Sequence, residues 1–546
     1  MEESKKIYLA DLLAKELTVP RNNRPSNFII TTPPGSGKTF AVRKLLFPRI
    51  YSEKSSLLYV VNRTALARQI TRMRNEYAEQ HPLEASYLLS HVHVVTYQKI
   101  EAMLSCNAIL DYPYNIACYR GGYICLDEFH YVWHDSLFNP KTLLSYDFFT
   151  QATSATRFFM SASLTSDMIS TLENSLMENC RIGDYTSQCR SKGNLLFTSK
   201  VYKEINSITP DYSYLNLEAF STIEELPELL KTTSGKTIVF VSSIKEGNKL
   251  ISQLQESLPE LKCDFLCSEY RNNTDMAETM STIVNRDTFD CDILVTTTVI
   301  DNGINLRNNA IKNIVILTYN KVDLEQCLSR RRVDKDDEII NLFLCRRSVK
   351  NFTDLKQQYE RIWRCYETMS CLSPFSCLQK YFEDHDNSRF YDKIGLYRSF
   401  PYGQVFQINR LSFEYLCYEL QSINEIISRF SSEGKNAFLD IQRSWLSPAG
   451  TLLPYSDHTL ASTTEQFISV LNDISNQEMA SQELTNWLKK DDVKKCIRQL
   501  SPDKIYASKP VTKEHLKKLL ETGDFGFTLK ETPIKPKKTV YTIIKS

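Results

Sequence analysis

Gly35, Gly37, Lys38 and Thr39 close the run TTPPGSGKT at Thr31–Thr39, directly behind the apolar residues Phe28, Ile29 and Ile30. A loop of this kind, entered from a buried strand and left through a helix, wraps backbone N–H groups around phosphate oxygens. Pro34, Gly35, Ser36 and Gly37 would form the cradle, Lys38 would reach the β- and γ-phosphates, and the Thr39 hydroxyl would ligate Mg²⁺. Thr32 stands where the pattern GxxxxGK[ST] has its first glycine, but the final Gly-Lys-Thr is intact. The expected ligand is a nucleoside triphosphate, ATP, with Mg²⁺.

Hydrolysis needs more than a cradle. Tyr123, Ile124, Cys125 and Leu126 form a short apolar run, and Asp127-Glu128-Phe129-His130 follows it, where the carboxyl end of a strand presents side chains to a ligand. Asp127 would hold the same Mg²⁺ as Thr39, and Glu128 would orient and deprotonate the attacking water.

Asp127-Glu128-Phe129-His130, together with the phosphate loop, resembles the DExH box of the superfamily 2 helicases over about residues 25–345. That resemblance implies two tandem RecA-like lobes. Ser161-Ala162-Ser163 is similar to the family's Ser-Ala-Thr motif; with His130, Ser161 and Ser163 would couple ATP state to the position of the lobes. Arg63 and Thr64 after the strand Leu57–Val61, and Thr96 and Gln98 after Val92–Val95, resemble loops that grip a nucleic-acid backbone. A second lobe is similarly marked: Ser242 follows Lys236–Val241, and Thr296 and Thr297 follow Asp292–Val295. Asp301 and Gly303 would then face the nucleotide.

The last motif departs from the family's Gln-x-x-Gly-Arg-x-Gly-Arg, since here Gln326 leads into Ser329-Arg330-Arg331-Arg332-Val333. Arg330 aligns with the first arginine. Either Arg332 supplies the finger that meets the transition-state charge, or Arg331 does, or coupling is weak; a Gln-x-x-x-Arg-x-Arg variant favours Arg330 with Arg332, and a solvated basic face is the plain alternative. No glutamine precedes Gln69, so the adenine-reading glutamine of the DEAD-box subgroup is missing, which sets that subgroup aside and predicts looser nucleotide choice.

The elements that must position these groups are legible by period. The expected layout is an α/β pair of RecA-like P-loop lobes at 1–200 and 201–350, a mainly α-helical accessory domain at 351–500, and a basic tail module at 501–546. Ile7, Leu9, Leu12, Leu13 and Leu17 make a helical stripe ahead of the first lobe, ending at Pro20. In the tail, Thr512 could cap a helix to about Glu521, and Phe525–Thr528 with Thr539–Ile544 could pair as a hairpin, a winged-helix-like arrangement. Ten lysines stand against five Asp/Glu from 501 to 546; nucleic-acid contact and a solvated terminal element both fit.

The net charge of +1 over 546 residues excludes a whole-chain basic signature, so a nucleic-acid surface must be local. No apolar run long enough to span a membrane and no signal-peptide core occur, so a soluble, cytoplasmic protein is expected. The fifteen cysteines lack CxxC or Cys/His metal spacing. The leading function is an ATP-driven helicase or translocase on DNA, ahead of RNA, held mainly by the backbone, with a protein partner at the C-terminal helices. A sensing ATPase switch that does not unwind is the runner-up, and a P-loop enzyme on a small molecule is third.

Overall fold

The computed structural model describes residues 8–19, 26–33, 35–106, 119, 121–151, 155–188, 202–206, 210–267, 274–297, 306–333, 338–400, 403–447, 450–457, 463–501, 509–522, 525–535 and 538–545. Pro34, Asp301 and Gly303 of the expected nucleotide site lie outside them, as do Ile7, Pro20 and the N-terminal residues before Tyr8.

The first lobe is a six-stranded sheet of β1 (Asn27–Ile30), β2 (Leu57–Val61), β3 (Val92–Thr96), β4 (Tyr123–Asp127), β5 (Thr156–Met160) and β6 (Tyr202–Ile205), in the order β3-β2-β4-β5-β1-β6. Every pairing is parallel. β1, β2, β4 and β5 are buried along their whole length, as a parallel sheet covered on both faces requires. The helix Leu9–Thr18 buries Leu9, Ala10, Leu13 and Leu17 in one cluster with Phe28, Ile30, Val42 and Leu46. Each buried leucine contributes about 1.5–3 kcal/mol, which holds this helix beside the phosphate loop.

The second lobe repeats the plan with β7 (Leu215–Phe220), β8 (Lys236–Phe240), β9 (Cys263–Leu266), β10 (Ile293–Thr296), β11 (Ile311–Ile316) and β12 (Ile340–Cys345), ordered β7-β12-β11-β8-β10-β9, with the short strand Tyr455–Asp457 beside β7. The pairings among β7–β12 are parallel. The expected pair of lobes is therefore present, with a helical C-terminal region after it.

That region opens with the 22-residue helix Val349–Ser370 and includes Arg410–Glu433 and Ala437–Trp445, interrupted by the antiparallel hairpin β13 (Gly395–Phe400) and β14 (Gly403–Ile408). Its Ile362, Cys365, Met369, Tyr391 and Leu416 share one core cluster with Trp133, Tyr146 and Phe149 of the first lobe. Contacts accordingly join everything from Met1 to Ser456 into one compact unit.

The second compact unit runs from Asp457 to Ser546, not from 501. The reason is its core: Phe467, Leu471, Leu484 and Trp487 pack with Leu516, Leu519 and Ile543. Helices Thr463–Asp473, Ser481–Leu488, Asp491–Leu500 and Lys513–Thr522 cover a three-stranded antiparallel sheet, in which Lys538–Lys545 lies between Glu478–Ala480 and Phe527–Lys535. The tail hairpin is thus longer than expected on its first strand.

Candidate active site

The phosphate loop leaves the carboxyl end of β1. Gly35 and Gly37 take φ of 82° and 87°, a left-handed region in which a side chain costs about 1–2 kcal/mol, so the two glycines permit the turn. Thr32, in the place of the missing glycine, is fully buried and accepts a 2.8 Å hydrogen bond from the Ser36 hydroxyl. The threonine braces the loop where a glycine would only have relaxed it. Lys38 starts the helix and its ammonium donates to the Thr32 carbonyl at 2.9 Å and the Pro33 carbonyl at 3.4 Å. Burial lowers its pKa, against the charges of Glu128 and Asp127, which raise it.

Asp127 ends β4, two strands from the loop in the sheet, and is 4 % exposed. The Tyr59 phenol, on neighbouring β2, donates to Asp127 Oδ2 at 2.9 Å and lies close to the Thr39 side chain. Tyr97 donates to the Asp127 carbonyl at 3.1 Å. One phenol thus lies beside both expected Mg²⁺ ligands. A single carboxylate beside a hydroxyl suits Mg²⁺, which keeps most of its waters and takes the rest of its shell from substrate phosphates. Burial first, then the charge of Glu128, raises the Asp127 pKa; a dication there would reverse this by favouring the ionised form.

Glu128 has φ of 51°, an uncommon backbone state for a residue with a side chain. Phe129 N–H anchors the corner by donating to the Met160 carbonyl at 2.9 Å. Burial would raise the Glu128 pKa, but His130, Lys38, Arg330 and Arg332 outweigh it and hold it low. His130 is itself pulled to about 4, by burial first, and so is neutral near pH 7, leaving the lysine and the arginines as the effective charges. Glu128 Oε2 is buried and has no hydrogen-bond partner among the described residues. An ionised carboxylate oxygen with a vacant acceptor position is what a general base needs.

The second lobe reaches this site through the helix Lys321–Arg330. Gln326 Nε2 lies 2.5 Å from His130 Nε2, and His130 Nδ1 lies 2.9 Å from Ser161 Oγ. Ser161 Oγ also accepts the Ser163 N–H at 2.9 Å. With the imidazole neutral, Gln326 donates to Nε2 and the Nδ1–H donates to Ser161, an assignment made from the network. Four of the expected residues therefore form one chain between the lobes.

The three arginines separate. Arg331 is buried in the second lobe, where it pairs with Glu338 and donates to the Ile311 carbonyl at 3.2 Å. Arg330 donates to the Gln326 carbonyl at 3.0 Å and is 4 % exposed. Arg332 comes to the phosphate loop itself: a Cβ on Gly35 would lie 3.3 Å from Arg332 Nη1.

Of the residues expected to meet nucleic acid, Thr64 and Ser242 are exposed. Arg63 pairs with Asp135 at 3.4 Å. Gln98 donates to the Asn62 carbonyl at 2.8 Å, tying the two loops of the first lobe together, and Thr96 caps the helix Tyr97–Ser105. Thr297 is 9 % exposed, whereas Thr296 is fully buried and its hydroxyl donates to the Thr297 carbonyl, so its side chain faces the lobe interior.

Three groups here escaped the sequence reading. Tyr59 looks like core within the strand LLYVV, and only the alignment of β2 beside β4 reveals its task. His134 lies 3.2 Å from Asp135 Oδ1 and 3.0 Å from Asp323 Oδ1 of the second lobe. Burial would lower its pKa, but the hydrogen bonds to Asp135 and Asp323 win and raise it well above 6.5. Its spacing of four from His130, one helical turn, was a usable signal. Trp133, beside it, donates to Glu414 of the C-terminal helix at 2.9 Å.

Residues 14–171 match the DEAD/DEAH box helicase family and residues 221–365 match the helicase conserved C-terminal domain. Among solved structures, the chain is similar to the Mycobacterium smegmatis helicase Lhr bound to ssDNA and AMP-PNP, with 14% identity, 72% of this chain and 58% of that chain covered, and a TM-score of 0.42. It is similar also to S. cerevisiae Dbp5 bound to RNA and ADP BeF3, with 14% identity, 64% and 85% covered, and a TM-score of 0.43. The chain thus spans 58% of the length of Lhr. No curated protein matches it in sequence. Among the described residues no helix is long and apolar enough to cross a membrane. With a DEAD/DEAH box domain and a helicase C-terminal domain in that order, together over more than half of its length, the chain belongs to the superfamily 2 helicases.

Proposed function

We propose that this helicase is a nucleic-acid-stimulated ATPase of the DExH group, translocating along a DNA or RNA strand by opening and closing the cleft between its lobes. The observation that carries the reading is the approach of Arg332, from the second lobe, to Gly35 of the phosphate loop in the first. A nucleotide site divided between two bodies links hydrolysis to their relative position.

The loop amides and Lys38 hold the phosphates. Thr39 and Asp127, both beside Tyr59, would hold Mg²⁺, which when bound neutralises charge on the phosphate oxygens. Glu128 Oε2 takes the proton of the attacking water. Arg332, with Arg330 behind it, meets the charge that develops on the transferred phosphoryl group, and Arg331 serves the second lobe's interior. The chain Ser161–His130–Gln326 carries the state of the site to the lobe interface. Thr64, Thr96, Thr297 and Ser242 contact the sugar-phosphate backbone, as hydroxyls rather than base-reading forks suit. His130 and the lack of an upstream glutamine support the DExH assignment and turnover of GTP or CTP beside ATP.

Strand displacement from a forked duplex, measured beside ATP turnover, tests this. Unwinding that depends on hydrolysis is expected; stimulated turnover with no displacement or translocation would make the protein a sensing switch instead.

A further inference from the structure

The second compact unit contains a cavity of 630 Å³ between the helices Ser481–Leu488 and Asp491–Leu500 and the start of Lys513–Thr522. Its floor is apolar, with Leu484, Leu488 and Val511 all below 10 % exposed. Its rim is basic: Lys489, Lys494, Arg498, Lys509 and Lys513 face one acid, Glu514. Such a volume suits a ligand of small-molecule size, held by apolar contact and oriented by a few polar groups.

Much of the rim is already engaged. Lys494 pairs with Asp491 at 2.7 Å, Lys513 meets the Tyr541 hydroxyl at 3.2 Å, and Arg498 donates to the Lys509 carbonyl at 2.9 Å. Glu514 is held ionised first by backbone N–H at its own helix start and then by the Thr512 hydroxyl, so it occupies the anion position that the helix offers. Lys489 and Lys509 are exposed, and the five cations still exceed the two acids Asp491 and Glu514. The complementary occupant combines negative charge with a flat apolar body of cavity size. A nucleotide has both.

We infer that this cavity binds one nucleotide unit of a nucleic-acid strand, its phosphate on Lys489 and Lys509 and its base against Leu484, Leu488 and Val511. The inference rests on the proposed strand-dependent motor and supplies it with a second hold on the strand, outside the two lobes.

The full-length protein, without ATP, is titrated with fluorescently labelled single-stranded DNA and RNA 20-mers across a salt series. Three forms are compared: wild type, the pair Lys489→Glu with Lys509→Glu, and Thr485→Phe, which fills the cavity mouth without changing charge. Thermal melts confirm that the variants fold. The charge pair should weaken binding at least tenfold and flatten the log–log salt dependence by about 0.7, the value for one lost single-strand phosphate contact. Thr485→Phe should weaken binding with little change in slope. ATP turnover at saturating strand should be unchanged in both. Wild-type affinity in both variants overturns the inference; so does loss in the charge pair alone, because the lysines then act as a diffuse field and not as a site. If no strand stimulates turnover in wild type yet both variants lose binding, the motor reading fails while this site stands.

Discussion

Replacing Arg332 by alanine separates the proposed arginine finger from its neighbours by the signs of two effects. An arginine that meets transition-state charge in phosphoryl transfer is worth ~10³–10⁵ in rate, or about 4–7 kcal/mol at 1.36 kcal/mol per tenfold. Arg332→Ala should therefore remove nucleic-acid-stimulated hydrolysis while a non-hydrolysable ATP analogue still binds. Stability should move the other way. Burial first, then the charge of Arg330, pulls the Arg332 pKa from 12.5 to about 10, so keeping it charged in this place costs on the order of 3 kcal/mol. A cation whose folded pKa is depressed destabilises the fold at every pH below that value, so at pH 7 the variant should melt no lower than wild type without nucleotide. Arg331→Ala should show the opposite pattern, because it leaves the buried Glu338 with Lys312 alone, at 3.5 Å; breaking a buried pair costs up to about 3–5 kcal/mol, and the remaining lysine offsets part of that. The assays are steady-state turnover with and without nucleic acid, and thermal melts of the apo protein. Normal stimulated turnover in Arg332→Ala, or a melting loss as large as that of Arg331→Ala, refutes the assignment.

Two further outcomes follow from the same network. Tyr59→Phe removes the phenol that donates to Asp127 close to Thr39; losing one hydrogen bond to a charged group, about 1.5–3 kcal/mol, should raise the Mg²⁺ concentration for half-maximal turnover by roughly ten- to hundredfold, and an unchanged Mg²⁺ titration removes Tyr59 from that task. His134 is a cation held between Asp135 and Asp323, its pKa raised well above 6.5, so its link between the lobes is complete below about pH 6.5 and fades as pH rises through the folded value. The gap in melting temperature between wild type and Asp323→Asn should accordingly be largest near pH 6 and narrow in alkali; a gap that widens with pH contradicts the sign.

How much could be read beforehand follows from which forces act locally. β1, β2, β4 and β5 are mostly apolar because both faces of a parallel sheet are covered, so the strands, and with them the loops that follow, stand out in sequence. Gly35, Lys38 and Asp127-Glu128 stand out similarly, since the phosphate and metal chemistry proposed for them admits few residue types. Arg330, Arg331 and Arg332 were told apart only by the resemblance, which favours Arg330 with Arg332, because consecutive identical side chains differ only in where the end of one helix and the bridge of Arg331 to Leu306 point them. The tail boundary was misplaced for a related reason: the change in charge falls near 501, while the core that defines the unit extends back to Phe467. Tyr59 and His134 depend on partners 68 and 189 residues away, a separation at which no periodicity speaks.

Under the proposed function, a strand of nucleic acid drives hydrolysis at a site whose base is Glu128. The direct measurement is ATP turnover by wild type and Glu128→Gln over a panel of single-stranded, duplex and forked DNA and RNA. At least one member of the panel should stimulate wild type, and Glu128→Gln should lose that turnover with ATP still bound. A wild-type rate indifferent to every nucleic acid, or a Glu128→Gln rate equal to wild type, would contradict the proposed function.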